Sequence, residues 1–146
     1  SATRRREGLY QEAWHVFTIS LREIHILMKH WKPFFINNSK VPVWLSYVSP
    51  INIWAISFGW WVWCRGEMDE ETERHETINF QQQLELGFIV QWALYAAFWL
   101  YGLIWYRSGS EAYYKNPFEL EAYGNDKNEN YLEERKRYAW TYYILY

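Results

Sequence analysis

The chain has 146 residues, a length that suits one domain with a modest core. A net charge near −2 gives no global attraction for nucleic acid, and the lone Cys64 excludes a disulfide within these residues. With 11 Trp, 13 Tyr and 8 Phe, the composition suits a membrane interface or a large protein contact, because Trp and Tyr join an apolar body to a polar tip.

Charge is unevenly placed. Residues 1–40 hold seven Lys or Arg against three Glu, whereas residues 65–85 hold seven acids against two Arg. The opening "SATRRREG" is basic without an adjoining apolar run, so it does not read as a secretory signal. The three arginines at 4–6 read as a mobile tail able to touch anionic lipid. Residues 9–32 carry apolar side chains at 9, 13, 14, 17, 21, 24, 27, 28 and 31, which predicts an amphipathic helix within an N-terminal segment of residues 1–40. Pro33 discourages its continuation, and "INNSK" supplies turn residues.

Residues 41–64 have no charge, and hydropathy alone would make them a membrane span. Pro42, Pro50 and a wealth of Val, Ile, Trp and Tyr favour extended chain instead. The expectation is a short strand near 43–48 and a hairpin of 51–57 with 60–64 across "FG", packed beside the next helix. That helix begins in the acids of "EMDEETE", which suit a helix N-terminus. Residues 86–105 then run uncharged between Glu85 and Arg107, long enough to cross a bilayer. "RSGSEAYYKNP" reads as a loop. Residues 117–126 read as a short helix capped by Asn116 with Pro117 at its first position, and 129–139 as another before an aromatic tail. The sum is a mainly helical α+β fold with a small aromatic hairpin.

Within "ERHETINFQQQLE", residues 75 and 79 lie one turn apart on one helix face. H-E-x-x-H binds zinc because two imidazoles converge on one ion while the Glu acts on bound water as general base. Here His75 and Glu76 are present, but position 79 is Asn, whose neutral amide oxygen is a poor substitute for imidazole. Taken alone, H-E-x-x-N is weak, since one His beside one Glu on a charged helix is most often a solvated face. His15, His25 and His30 read as helix-face residues, Cys64 as a small buried hydrophobe, and Gln82 and Gln83 as hydrogen-bonding groups beside the apolar helix.

The order of blocks adds more: an aromatic hairpin, "HETINFQQQLEL", an apolar helix, "FELEAY" at 118–123, then "YLEERKRYAW". Over residues 50–140 this order resembles a family of small uncharacterised bacterial and phage proteins, membrane-associated zinc metallopeptidases of the Glu-zincin type by their motifs. The family core reads like H-E-x-I-H-x-x-Q-Q-x-E-L. The resemblance implies a metallopeptidase-like core at 68–126, with His75 and Glu119 as metal ligands, Asn79 at the remaining ligand position, Glu76 as base and Glu121 as a neighbour. It also implies a peptide substrate added along a strand edge beside the H-E helix. Asn79 then makes the expected state impaired or inactive, with zinc weakly held or absent. The alternative from another class is a non-enzymatic subunit of a membrane complex or virion that packs through aromatic surfaces. Either reading expects membrane lipid or a large assembly as partner, on the reducing side of a membrane or in a virion.

Geometry ties these expectations together. One straight helix from 75 to 106 would part its ends by roughly 46 Å, while thirteen residues back to Glu119 reach at most about 43–47 Å. A site shared by His75 and Glu119 therefore requires a break, at Gly87 or near Gly102.

Overall fold

The computed structural model describes residues 23–24, 26–49 and 51–145. The chain divides into two units, residues 1–31 and 32–146. In the first, residues 23, 24 and 26–29 are helical, within the stretch expected to be so. The expectations for residues 1–22 and for His25 lie outside the described residues.

The second unit is a mainly helical α+β fold. Its sheet has three short strands, β1 (Phe34–Ile36), β2 (Ala55–Phe58) and β3 (Trp61–Cys64), in the order β1-β3-β2. β2 and β3 form the expected hairpin, with Phe58 opposite Trp61, although β2 begins at Ala55 rather than at 51. Gly59 takes φ +63 and Trp60 does not take a positive φ, the pattern of a type II′ turn. β1 pairs parallel with β3, placing Phe34, Trp61 and Phe58 in one row and Ile36, Trp63 and Ile56 in the next. Alternation turns Val62 and Cys64 to the core, where both are fully buried, and leaves the aromatic row half-exposed on the other face.

Residues expected as a strand near 43–48 are instead α1 (Val41–Ser46). Pro42 falls in its first turn, where a missing N–H costs nothing and a fixed φ assists the helix. Ser46 then closes the segment: its hydroxyl donates to the Pro42 carbonyl at 2.8 Å and accepts from the Ile53 N–H at 2.8 Å.

α2 (Glu70–Leu86) starts at Asp69, whose carboxylate accepts from the Thr72 N–H at 2.7 Å, with Glu70, Glu71 and Glu73 in the first turn. It stops at Gly87, which takes φ +75 and ψ 140, a conformation open to glycine and strained for other residues. The chain restarts as α3 (Phe88–Tyr106), so the break falls at the first of the two expected glycines. Gly102 instead sits inside α3. A Cβ there would lie 3.0 Å from that of Ala112, so its lack of a side chain lets the next helix approach closely.

That next helix, α4 (Gly109–Tyr114), replaces the loop expected from "RSGSEAYYKNP". Ser108 caps it by accepting from the Glu111 N–H at 3.2 Å, the S-x-x-E signature of a helix start. α5 (Pro117–Asn125) follows with Asn116 as cap, as expected. The helix expected over 129–139 is only α6 (Tyr131–Glu134). Arg135 leaves helical geometry because its guanidinium is drawn into the core, donating to both Glu121 and Glu85. A 3₁₀ turn, Ala139–Tyr143, packs Trp140 against Phe118 with ring centroids 4.7 Å apart.

Candidate functional site

Three elements meet around His75. α2 supplies His75, Glu76 and Asn79 on one face. α5 supplies Glu119 in its first turn and Asp126 at its C-cap, seven residues on and hence on the same face. α3 supplies Tyr95. Because α3 turns back at Gly87, Tyr95 reaches the site and Asn116 can tie α5 to it, donating from Nδ2 to the Tyr95 carbonyl at 3.1 Å. Gln82 holds α2 to α5 from the other side through the Phe118 carbonyl at 3.0 Å and Glu121 at 3.1 Å.

The imidazole of His75 lies between two carboxylates. Nε2 is 3.2 Å from Glu119 Oε2 and Nδ1 is 3.4 Å from Asp126 Oδ2, while Tyr123 packs edge-on against the ring at 4.4 Å. The Tyr95 hydroxyl donates to the other Glu119 oxygen at 2.8 Å, and Arg74 donates to the Asp126 backbone carbonyl. Burial alone would lower the His75 pKa, but the hydrogen bond and charge of Glu119, with Glu76 and Asp126 adding, raise it to about 9. Burial also pushes the Glu76 carboxyl up to about 7 against the pull of His75. The Asn79 amide hydrogen-bonds Glu76 and favours its ionised form.

These groups line a cavity of about 690 Å³. Its floor is α2, from Thr72 through His75 and Asn79 to Gln83, and one wall is β2 with the segment leading into it. β2 is an edge strand. Trp54 accepts from the Arg65 N–H, so ladder bonds to β3 fall at 54, 56 and 58, and the backbone groups of Ala55 and Ser57 point outward. Gln83 fixes this edge beside α2, donating to Ser57 Oγ at 2.9 Å and accepting from the Gly59 N–H at 3.1 Å.

Of the sequence-derived set, His75 and Glu119 lie 3.2 Å apart, and Glu76 and Asn79 line the same cavity. Two participants were missed. Asp126 follows "FELEAYGN" directly, and its spacing from Glu119 was the available signal. Tyr95 lay hidden in an apolar run where only its hydroxyl distinguished it.

The donor set fits zinc in part. A carboxylate on Nδ1 with Nε2 free for a metal is the usual arrangement of a ligating His. Two ligands at about 2.0–2.1 Å on a tetrahedral ion would sit ~3.3 Å apart, close to the Nε2–Glu119 separation. The third position fails this test. Asn79 brings an amide, not an imidazole, and uses it to hold Glu76. Among the described residues no group of three or more His, Cys, Asp or Glu side chains is arranged to hold an ion.

Comparison with family models, curated proteins and solved structures gives no match.

Proposed function

We propose that this chain is a metallopeptidase-like, membrane-associated protein that receives an extended peptide along β2 but is impaired in zinc-dependent hydrolysis. One observation carries the reading: the His75–Glu119 pair, 3.2 Å apart, lies on the floor of a cleft walled by an open strand edge. A peptide added to that edge would take hydrogen bonds from the outward groups of Ala55 and Ser57 and pass over His75 and Glu76. Asn79 explains the impairment, because one imidazole and one carboxylate are a weak zinc set and the residue that replaces the second imidazole ties down Glu76.

Membrane association draws on α3. It is long and apolar enough to cross a bilayer, yet Tyr95 at its middle bonds Glu119. The exposed side of α3 carries Ile89, Val90, Leu100, Tyr101, Ile104 and Trp105 and no charge. A helix apolar outward and polar-bonded inward fits one lying in the membrane interface better than one spanning it. The same exposed side also supports the second reading, a non-enzymatic subunit of a membrane complex or virion.

Metal analysis separates the two. The unmodified protein is expected to hold far less than one zinc and to cleave no peptide. Asn79→His is expected to bind zinc and hydrolyse, and Glu76→Gln in that background to keep the metal while losing turnover. Stoichiometric zinc in the unmodified protein would overturn the impairment. An Asn79→His variant that folds but gains neither metal nor turnover would favour the structural subunit.

A further inference from the structure

The cavity has an uneven chemistry. Glu76, Glu119 and Asp126 line it against one imidazole, with Glu71, which pairs with Lys127 at 3.9 Å, at its rim, and neither Lys nor Arg is among the described lining residues. Three buried acceptor atoms there have no hydrogen-bond partner: Glu76 Oε2, Asn79 Oδ1 and Asp126 Oδ1. Glu76 and Asp126 are 6% and 4% exposed and these atoms are closed to solvent, so a ligand's donors reach them once the side chains turn towards the cavity. Around the same end stand four tyrosines, Tyr95, Tyr113, Tyr114 and Tyr123. They are linked by the Tyr113–Tyr123 and Tyr114–Tyr123 ring contacts and by the Tyr95–Glu119 hydrogen bond.

We infer that this end of the cavity is a subsite for a basic side chain, arginine above lysine, of the peptide held along β2. The inference rests on the peptide-binding reading above and adds the substrate class. Unsatisfied acceptors call for a group that brings donors and no lone pairs of its own. A guanidinium has five N–H donors in a plane, whereas water returns a lone pair for every site it fills. Tyrosine faces attract cations through their quadrupole and stack on a planar guanidinium. A metal ion would use the acceptors but not the aromatic walls, and it would leave most of about 690 Å³ unfilled. Anionic and purely apolar side chains are disfavoured by the same carboxylates.

The test uses the whole chain and two kinds of probe: blocked extended octapeptides that carry arginine, lysine or citrulline at one central position, and propylguanidinium alone. Citrulline keeps the shape of arginine and removes its charge. Binding is read by calorimetry. The arginine peptide should bind about tenfold or more tighter than the citrulline peptide, the scale of a charge-assisted hydrogen bond. Propylguanidinium should bind weakly and compete with it. Tyr123→Leu, at a half-exposed position, and the isosteric Asp126→Asn should each erase most of the arginine advantage, read as the ratio of arginine to citrulline affinity in the same variant. Equal binding of the arginine and citrulline peptides overturns the subsite and leaves the peptide groove standing. Binding of propylguanidinium with no peptide binding keeps the subsite and overturns the groove. No binding by either probe overturns both, and an arginine advantage that survives both substitutions overturns the subsite alone.

Discussion

α2 and α3 are consecutive helices of similar length, joined by one glycine, and they reverse the usual placement of side chains. Beside Ile78 and Phe80, α2 buries the polar His75, Glu76, Thr77, Gln81, Gln82 and Gln83, whereas α3 buries only Gln91 and Gly102 and exposes Ile104 at 79% and Trp105 at 72%. Hydrophobicity alone does not set burial here. What decides it is whether a polar group finds partners: Gln82 bonds the Phe118 carbonyl and Glu121, and Gln83 bonds the hairpin. A polar interior of this kind is specific but costly to damage, because each removed partner leaves a desolvated group behind. An apolar exterior tolerates change in water but calls for a non-aqueous neighbour.

The largest expected effect comes from breaking the polar side of this contrast. Arg135→Met deprives Glu121, fully buried, and Glu85 of the guanidinium that both bond. Stranding buried carboxylates this way should cost about 3–5 kcal/mol, read as a lowered denaturant midpoint. Replacing all three residues by apolar ones of similar volume should recover much of that loss, since the penalty lies in the uncompensated charge and not in the absence of ions. A single substitution that changes stability by under ~1 kcal/mol would mean the cluster is more hydrated than its burial indicates.

A second measurement addresses the apolar side. Ile104→Ser removes a side chain that is 79% exposed, so folding stability should move by no more than ~0.5 kcal/mol. Partitioning onto anionic vesicles should fall about tenfold, as expected when one large aliphatic side chain no longer enters lipid. Unchanged partitioning together with loss of a stable oligomer would point to a protein neighbour in place of lipid.

The smallest effect concerns the junction where the chain leaves α3 and turns back towards the polar core. Ser108→Ala removes the cap of α4 and should cost about 1 kcal/mol, while Ser108→Asp, which also caps, should cost little. Negligible losses from both would show that packing on Gly102, and not the cap, holds α4.

Much of this contrast could be read in the sequence. The acidic start and "HETINFQQQLEL" gave α2, the Asn116–Pro117 pair gave α5, and the chain-length argument demanded the break found at Gly87. The "FG" pair gave the hairpin. Where the structure departs from the sequence pattern the cause is shared: the effect of a local signal depends on its position in the element. Pro42 signals a break when it interrupts a helix, whereas in a first turn it assists one. The Gly and Pro of "RSGSEAYYKNP" suggest a loop, although Ser108-Gly-Ser-Glu111 within it spells a helix cap. β1 was not legible at all, since three residues show no period and its pairing with β3 is decided by a contact 27 positions away. The site was legible to the extent of its motif. Asp126 and Tyr95 escaped because their roles come from α5 and α3 folding back onto α2, which no local pattern encodes.

Cys64 gives the molecule a natural clock. It is the one thiol in the chain, fully buried on the core side of β3, so a reagent reaches it only when the sheet parts from the elements packed on that face. Its labelling rate therefore reports how often the sheet opens, without any engineered probe. A ligand that adds a strand to β2 would slow that clock in proportion to its occupancy, so the reactivity of one sulfur can register events at the edge of the cleft.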